Sequence, residues 1–471
     1  MPAVPAGGGI IAAFTNPSAV MNDSATPYVE QRRHELRRTR LQMIDGHLAV
    51  NTRSAEGGVS ARVYDGGYWG FASTSDAAGR DTVLERAQRN ARAMARFGSE
   101  RTALALPGGT QRGAPESSAA RKTLSPAECV ERLAELHGWC ASRYPQLKSS
   151  RFVLHEEHHA KGLETSTGSA VLNTIARAAI GITLVALDDR GTPVELYEPV
   201  SGKGSLADLD LSVDALAPVL DRLHGHLQAK RHAVPARGGL HTVVLAPDLA
   251  GMLAHEAMGH PCEADLVLGG AVTGGLLGQR IASDLVTMVD FAHHFDGEEL
   301  LIPVYADDEG TPALDAVLIE RGVLKGFMSS RETAARLGIE PSGSARAYGP
   351  HDEPLVRMRN TAILPGVDRL DDMIAGVDDG YLLLNSMNGQ ADSTTEFMFG
   401  IALGYEIRGG KVGRAIRDTT LSGSALAVLA SVDAVSADMR WTCSGYCGKK
   451  QPMIVSMGGP ALRARAHLGG E

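Results

Sequence analysis

The sequence predicts an α+β protein: a first half of mixed helices and strands, then a β-rich second half. Three observations carry this. With 471 residues and 44% apolar content, the chain can form two or three domains with buried cores. Up to about residue 235, strand-like runs mix with segments of helical periodicity. From about Asp284 onward, short β-like runs such as 300–305, 317–319, 382–384 and 405–407 are separated by Gly, Asp and Pro turns, with one late helix over 425–435.

Residues 1–25, rich in Ala, Gly, Pro, Ser and Asn, read as a loose tail. A run over 58–64, a turn at Asp65, Gly66 and Gly67, and a second run over 68–73 predict a β-hairpin, followed by a helix over 82–97. The stretch 106–125 is expected as a surface loop. Ser125, Pro126 and Glu128 then stand at N-cap, N1 and N3 of a helix, the capping-box arrangement. Its apolar face of Cys129, Leu133, Leu136 and Cys140 places two thiols in the core. Strands follow over 151–154 and 176–187. The helix-like segment 212–230 contains Pro218, which should kink it or split it in two. A linker over 231–239 divides the chain into an N-terminal α/β domain, 26–235, and a C-terminal β-rich domain, 236–471. The second domain opens with a strand over 241–246 and a helix from Asp248 with Leu249, Met252 and Leu253 on one face.

Lys and Arg number 46 against 55 Asp and Glu, a net charge of −9, and no dense basic run appears, which argues against a nucleic-acid partner. Residues 1–14 lack the basic and long apolar regions of a secretory signal, and no run of 18 apolar residues occurs, so a cytoplasmic protein without membrane spans is expected. Five cysteines without regular spacing are not a disulfide framework; in a reducing compartment they remain available to bind metal.

His255-Glu256-Ala257-Met258-Gly259-His260 reads H-E-x-x-x-H, one residue longer than the H-E-x-x-H of ordinary zinc peptidases. At about 100° per residue, positions five apart diverge by roughly 140° on a regular helix, so both imidazoles reach one ion only where the helix widens or ends. Gly259, tolerant of unusual dihedrals, and Pro261, which restricts His260, supply such a break. Catalytic zinc takes three protein ligands and a water whose proton a nearby carboxylate removes; Glu256 is placed for that role. The competing reading is an amphipathic helix with two incidental histidines.

A third ligand must come from elsewhere, and Cys443 and Cys447, in the turn-rich 441–449 segment, are equal candidates. Cys262 lies too close to His260 to converge without strain and is expected as a thiol in the core or behind the ligands. His155, His158, His159, His224 and His226 are expected as surface or satisfied core residues, and Asp307, Asp308 and Glu309 as a solvated turn.

The metal motif is followed by Glu263-Ala264-Asp265, Asp308-Glu309-Gly310-Thr311-Pro312, Leu318-Ile319-Glu320-x-Gly322-Val323-Leu324-Lys325-Gly326, Arg357-Met358-x-Asn360-Thr361 and Cys447-Gly448-Lys449. In this order the blocks resemble the TldD/PmbA peptidases over roughly residues 55–465. The resemblance implies Zn2+ held by His255, His260 and Cys447, Glu256 as the base acting on zinc-bound water, an N-terminal mixed α/β domain and a β-rich C-terminal domain. It also implies a dimer: a heterodimer with a TldE/PmbA-like homologue that has lost its ligands, or a homodimer, with this chain the active subunit. The implied substrates are unfolded or modified peptides, bound in a narrow channel as an added β-strand and cleaved in natural-product maturation or antitoxin processing. One departure, Lys449-Lys450-Gln451-Pro452 where the family's Gln follows sooner, implies an altered channel and keeps open an amide hydrolase of natural-product biosynthesis acting on small molecules. A non-catalytic subunit of a TldD/TldE-type complex is a further alternative, against which the intact ligand set argues. Dipeptidyl peptidase III shares H-E-x-x-G-H, but its E-E-x-x-A-E block does not follow here.

Overall fold

The computed structural model describes residues 27–98, 104–113, 123–391 and 394–469. The expected tail over 1–25 lies outside them. β1 (Tyr28–Ile44) turns into β2 (His47–Asp65) through Asp45 and Gly46, whose φ values of 50° and 79° match the two-residue hairpin turn that Asp-Gly favours. Gly66 and Gly67 make the corresponding turn into β3 (Tyr68–Thr74). α1 (Arg80–Phe97) lays Val83, Ala87 and Ala91 on Val59, Ala61 and Val63. The approach is close: a Cβ on Gly70 would meet the Ala87 carbonyl oxygen at 2.1 Å.

α2 (Pro126–Arg143) carries the expected capping box, Ser125 Oγ accepting from Glu128 N–H while the Glu128 carboxylate accepts from Ser125 N–H. With α3 (Val213–Arg231) it covers one face of a seven-stranded sheet ordered β3-β2-β1-β4-β5-β6, where β4 is Ser149–Thr165, β5 Ala170–Leu187 and β6 Pro193–Lys203, and Arg112–Gly113 adds a short seventh strand. Pro218 does not split α3. It sits in the second turn, so its missing N–H removes one bond from a helix that the buried stripe Leu216, Leu220, Leu223 and Leu227 holds continuously. β1 changes its buried face midway: Tyr28, Glu30, Arg32, His34 and Leu36 point one way, Leu41 and Met43 the other, under α2.

The second region opens with β7 (Gly239–Leu245) and α4 (Pro247–Met252). α4 begins a residue before Asp248, because Pro247 is pre-set for N1; Asp248 pairs instead with Arg440 at 3.2 Å. The other strands of its large sheet are β8 (Met288–Phe291), β9 (Ala316–Glu320), β10 (Val323–Leu324), β11 (Asn360–Ile363), β12 (Asp379–Ala391), β13 (Glu396–Arg408), β14 (Lys411–Ser424), β15 (Ala434–Thr442) and β16 (Ser456–Leu468). They form a ten-stranded sheet ordered β10-β9-β8-β11-β16-β14-β13-β12-β7, with β15 on β16. Because β16 also pairs with β7, the path closes into a ring of β7, β12, β13, β14 and β16. The run 300–305 is not a strand; the buried Asn360 side chain takes up the backbone N–H and C=O of Ile302 in place of a neighbouring strand. The late helix ends at Ala430, and 434–435 already belong to β15.

Asp307, Asp308 and Glu309 are buried, not a solvated turn. Asp307 accepts from the Glu309, Thr311 and Ala345 N–H groups, and its neighbours dock the second region on the first sheet: Asp308 accepts from Lys161 Nζ at 2.7 Å, Glu309 pairs with Arg62, and the Gly310 carbonyl accepts from Ser169 Oγ at 2.8 Å. The loop expected over 106–125 is pinned in its described part, its Pro107, Gly108 and Gly109 carbonyls accepting from the buried Arg331; residues 114–122 lie outside the described set. Among the described residues no helix is long and apolar enough to cross a membrane.

Candidate metal centre

After α4 the chain enters a π-helical turn, Leu253–Gly259, then a 3₁₀ turn, His260–Cys262. The His260 N–H bonds to the His255 carbonyl, an i→i+5 step, so residues five apart return to one face and the two imidazoles stand 5.1 Å apart between ring centroids. The widening that the spacing required is therefore present. Gly259 contributes by its size: its φ of −59° and ψ of −55° are ordinary helical values, but a Cβ there would meet Met358 Sδ at 2.2 Å. Pro261 then ends the helix, and Glu263 is extended.

The structure brings Cys447, from the other end of the second region, to this turn. One donor atom from each of His255, His260 and Cys447 lies within 4.8 Å of the others, and Cys447 Sγ is 3.3 Å from His260 Nε2. Donors around a tetrahedral zinc are about 3.5 Å apart, given Zn–N of about 2.0–2.1 Å and Zn–S of about 2.3 Å. His255 Nδ1 is buried with no hydrogen-bond partner among the described residues, the condition of an imidazole awaiting another partner. The Cys447 thiol, though burial would raise it, is held down to about 4 by the two imidazoles, which favours the thiolate that binds metal. His260 moves up to about 10 against its own burial, through hydrogen bonds to Cys447 and Glu263. The donors thus fit one zinc-like ion with a position left open.

Glu256 stands beside them, its Oε2 3.9 Å from His260 Nε2 and its side chain 19% exposed. β12 passes over it, and a Cβ on Gly389 would lie 3.4 Å from Glu256 Cγ. Cys443 is elsewhere: its N–H donates to Ser201 Oγ at 3.1 Å, its carbonyl accepts from Arg177, and burial pushes its thiol up. Cys262 is a core thiol pushed up to about 12 by burial.

Three supporting residues escaped the sequence reading. Glu263 accepts from His260 Nδ1 at 2.8 Å, which directs Nε2 to the centre, and its carboxyl is held low, against its burial, by that hydrogen bond. Arg357, fully buried, donates to the carbonyls of Cys447 at 2.8 Å, Lys449 at 2.9 Å and Gln451 at 2.8 Å, fixing the turn that presents the thiol. Arg177, from β5, grips the same turn at the Cys443 and Gly445 carbonyls while paired with Glu157. Glu263 and Arg357 stood in motif blocks; Arg177 had no sequence signal, because its partners are backbone atoms far along the chain.

The other sequence candidates are accounted for. Gln451 is buried and bridges Tyr348 N–H and the Glu353 carbonyl. His159 is buried against His34, His155 meets the Tyr446 hydroxyl, His158 is partly buried, His224 stacks on Tyr144, and His226 hydrogen-bonds the Tyr405 hydroxyl at 2.7 Å.

A recessed His, His, Cys donor set with an adjoining carboxylate, two of the donors on a helix that widens to present them, is a candidate metal centre. The PmbA/TldA metallopeptidase domain 1 model matches residues 29–95, and the PmbA/TldA metallopeptidase C-terminal domain model matches residues 238–468. A metalloprotease of Methanothermobacter thermautotrophicus is 32% identical over 94% of this chain and 95% of its own length. A zinc metalloprotease TldD homolog of Saccharolobus solfataricus is 30% identical over 71% of this chain and 75% of its own. The crystal structure of TldE from Thermococcus kodakarensis superposes with a TM-score of 0.73 at 19% identity, over 93% of this chain and 96% of that one, which shows the fold. The chain belongs to the TldD/PmbA family of metallopeptidases.

Proposed function

We propose that this protein hydrolyses peptide bonds in unfolded or modified peptides, with zinc held by His255, His260 and Cys447 and Glu256 as general base. The convergence of three donors from segments 187 positions apart carries the reading. Zinc bound there would supply a Lewis acid for the scissile carbonyl and lower the pKa of water. His255 and His260 would be its imidazole ligands, and Glu263, accepting from His260 Nδ1, turns His260 Nε2 toward the centre. Glu256 takes the proton of the attacking water at its carboxylate and returns it to the leaving amine. Cys447 offers a thiolate anchored by Arg357.

The recess supports an extended substrate. His255 is 2% exposed and Cys447 3%, and the side chains of His260 and Glu256 are 18% and 19% exposed, so a folded protein surface cannot reach them while a slim strand can. In this reading the chemistry belongs to a domain spanning 236–471, and the 26–235 domain braces the Cys447 turn through Arg177. The partner in this reading is a TldE/PmbA-like homologue, in a heterodimer whose active subunit is this chain, a role that its set of His255, His260 and Cys447 supports.

Zinc content and peptidase activity of the wild type, Cys447→Ala and Cys443→Ala test the proposal. One zinc per chain, lost with activity only in Cys447→Ala, is expected. A wild type without zinc, or zinc indifferent to Cys447, overturns it.

A further inference from the structure

We infer that Lys449 is a positioning residue: its ammonium joins the segment that carries Cys447 to Glu263, and through Glu263 to His260, so that two distant ligands are held in register. The inference rests on the metal reading above. Lys449 Nζ lies 3.1 Å from Glu263 Oε2 and 3.0 Å from each Asp265 oxygen, and donates to the Val356 carbonyl at 2.7 Å. Its three N–H groups are thereby fully engaged. The Glu263 oxygen it approaches is the one that accepts from His260 Nδ1. Cys447, Lys449, Glu263 and His260 thus form a closed loop of contacts, completed by the 3.3 Å approach of Cys447 Sγ to His260 Nε2.

Charge gives the loop its direction. Glu263 is fully buried, and a buried carboxylate needs a cation. Lys449 supplies one, its Nζ 3.1 Å from Glu263 Oε2. This also gives a role to Lys449 and Asp265, which the proposed chemistry left unused: both acidic residues of Glu263-Ala264-Asp265 are held by the lysine of Cys447-Gly448-Lys449. The neighbouring Lys450 is exposed and serves as a control of equal charge.

The experiment is a competition titration of zinc against a chromophoric chelator for the wild type, Lys449→Met, Glu263→Gln, the double variant and Lys450→Met. The thiolate-to-metal absorption of the cobalt-loaded proteins is recorded alongside. Loss of a partner behind a ligand weakens metal binding about 10–100-fold, expected here for Lys449→Met and for Glu263→Gln, with a shifted cobalt band. The double variant should be no weaker than the worse single variant, within about 3-fold, since both break one link. Lys450→Met should bind as the wild type does. A Lys449→Met affinity within about 3-fold of wild type, or a double variant losing the product of both single effects, overturns the inference. Should Lys449→Met not fold, Glu263→Gln decides, because Asp265 still neutralises Lys449: a 10–100-fold loss supports the link and an unchanged affinity sinks it. Zinc lost in Cys447→Ala but retained in Lys449→Met defeats this inference alone, whereas a wild type that holds no zinc defeats the metal reading as well.

Discussion

Glu256→Gln separates chemistry from metal binding. Glu256 Oε2 is 3.9 Å from His260 Nε2, and the three donors close around one another without it. The change keeps the shape of the side chain where it passes Gly389, and the group is partly exposed, so stability should stay within about 0.5 kcal/mol of wild type. Zinc should remain at one per chain. The amide cannot accept a proton, and a positioned general base contributes about 10²–10⁴-fold, equivalent to about 3–5 kcal/mol of barrier. Hydrolysis of a fluorogenic extended peptide should show that fall in kcat with KM within about 3-fold, because an interaction made only in the transition state has been removed. Metal analysis and thermal unfolding of the same samples complete the assay. A rate within tenfold of wild type refutes the base assignment, and zinc lost together with activity would make Glu256 a ligand.

Two further perturbations probe the scaffold. Gly259→Ala places a Cβ 2.2 Å from Met358 Sδ in a packed core, so urea unfolding should show a loss of about 1–3 kcal/mol together with weaker zinc binding; an unchanged midpoint refutes the packing argument. Glu30 is raised from 4.5 to about 7, chiefly by burial, then by the charge of Glu309, against the pull of Arg62. A raised folded-state pKa makes its stability contribution full below about pH 4.5 and lost as the pH rises to about 7, a loss on the order of 2 kcal/mol between pH 5 and 8 that Glu30→Gln should abolish. Equal slopes in the two proteins would show that this carboxyl does not carry the effect.

Local signals determined much of the protein. The capping box at Ser125 fixed the start of α2, and the 129, 133, 136 and 140 stripe its buried face, because both act within a few residues along the chain. The five-residue His255–His260 spacing called for a helix that widens or ends, since a regular one sets the rings roughly 140° apart, and the tertiary structure widens it. The Asp45-Gly46 turn between β1 and β2 rests on an equally local signal, an Asp-Gly pair with φ of 50° and 79°. Long-range partners were a matter for the tertiary structure. Cys443 and Cys447 are equivalent in composition, and what separates them is that Arg357 holds the Cys447 carbonyl toward the metal turn while Arg177 and Ser201 hold Cys443 away from it. Asp307, Asp308 and Glu309 resemble a solvated turn in one dimension; the counter-charges of Asp308 and Glu309, Lys161 and Arg62, lie on another sheet. Sequence records each residue's donors and charges, but which buried charge meets which depends on the packing of distant segments, and desolvation makes that pairing decisive.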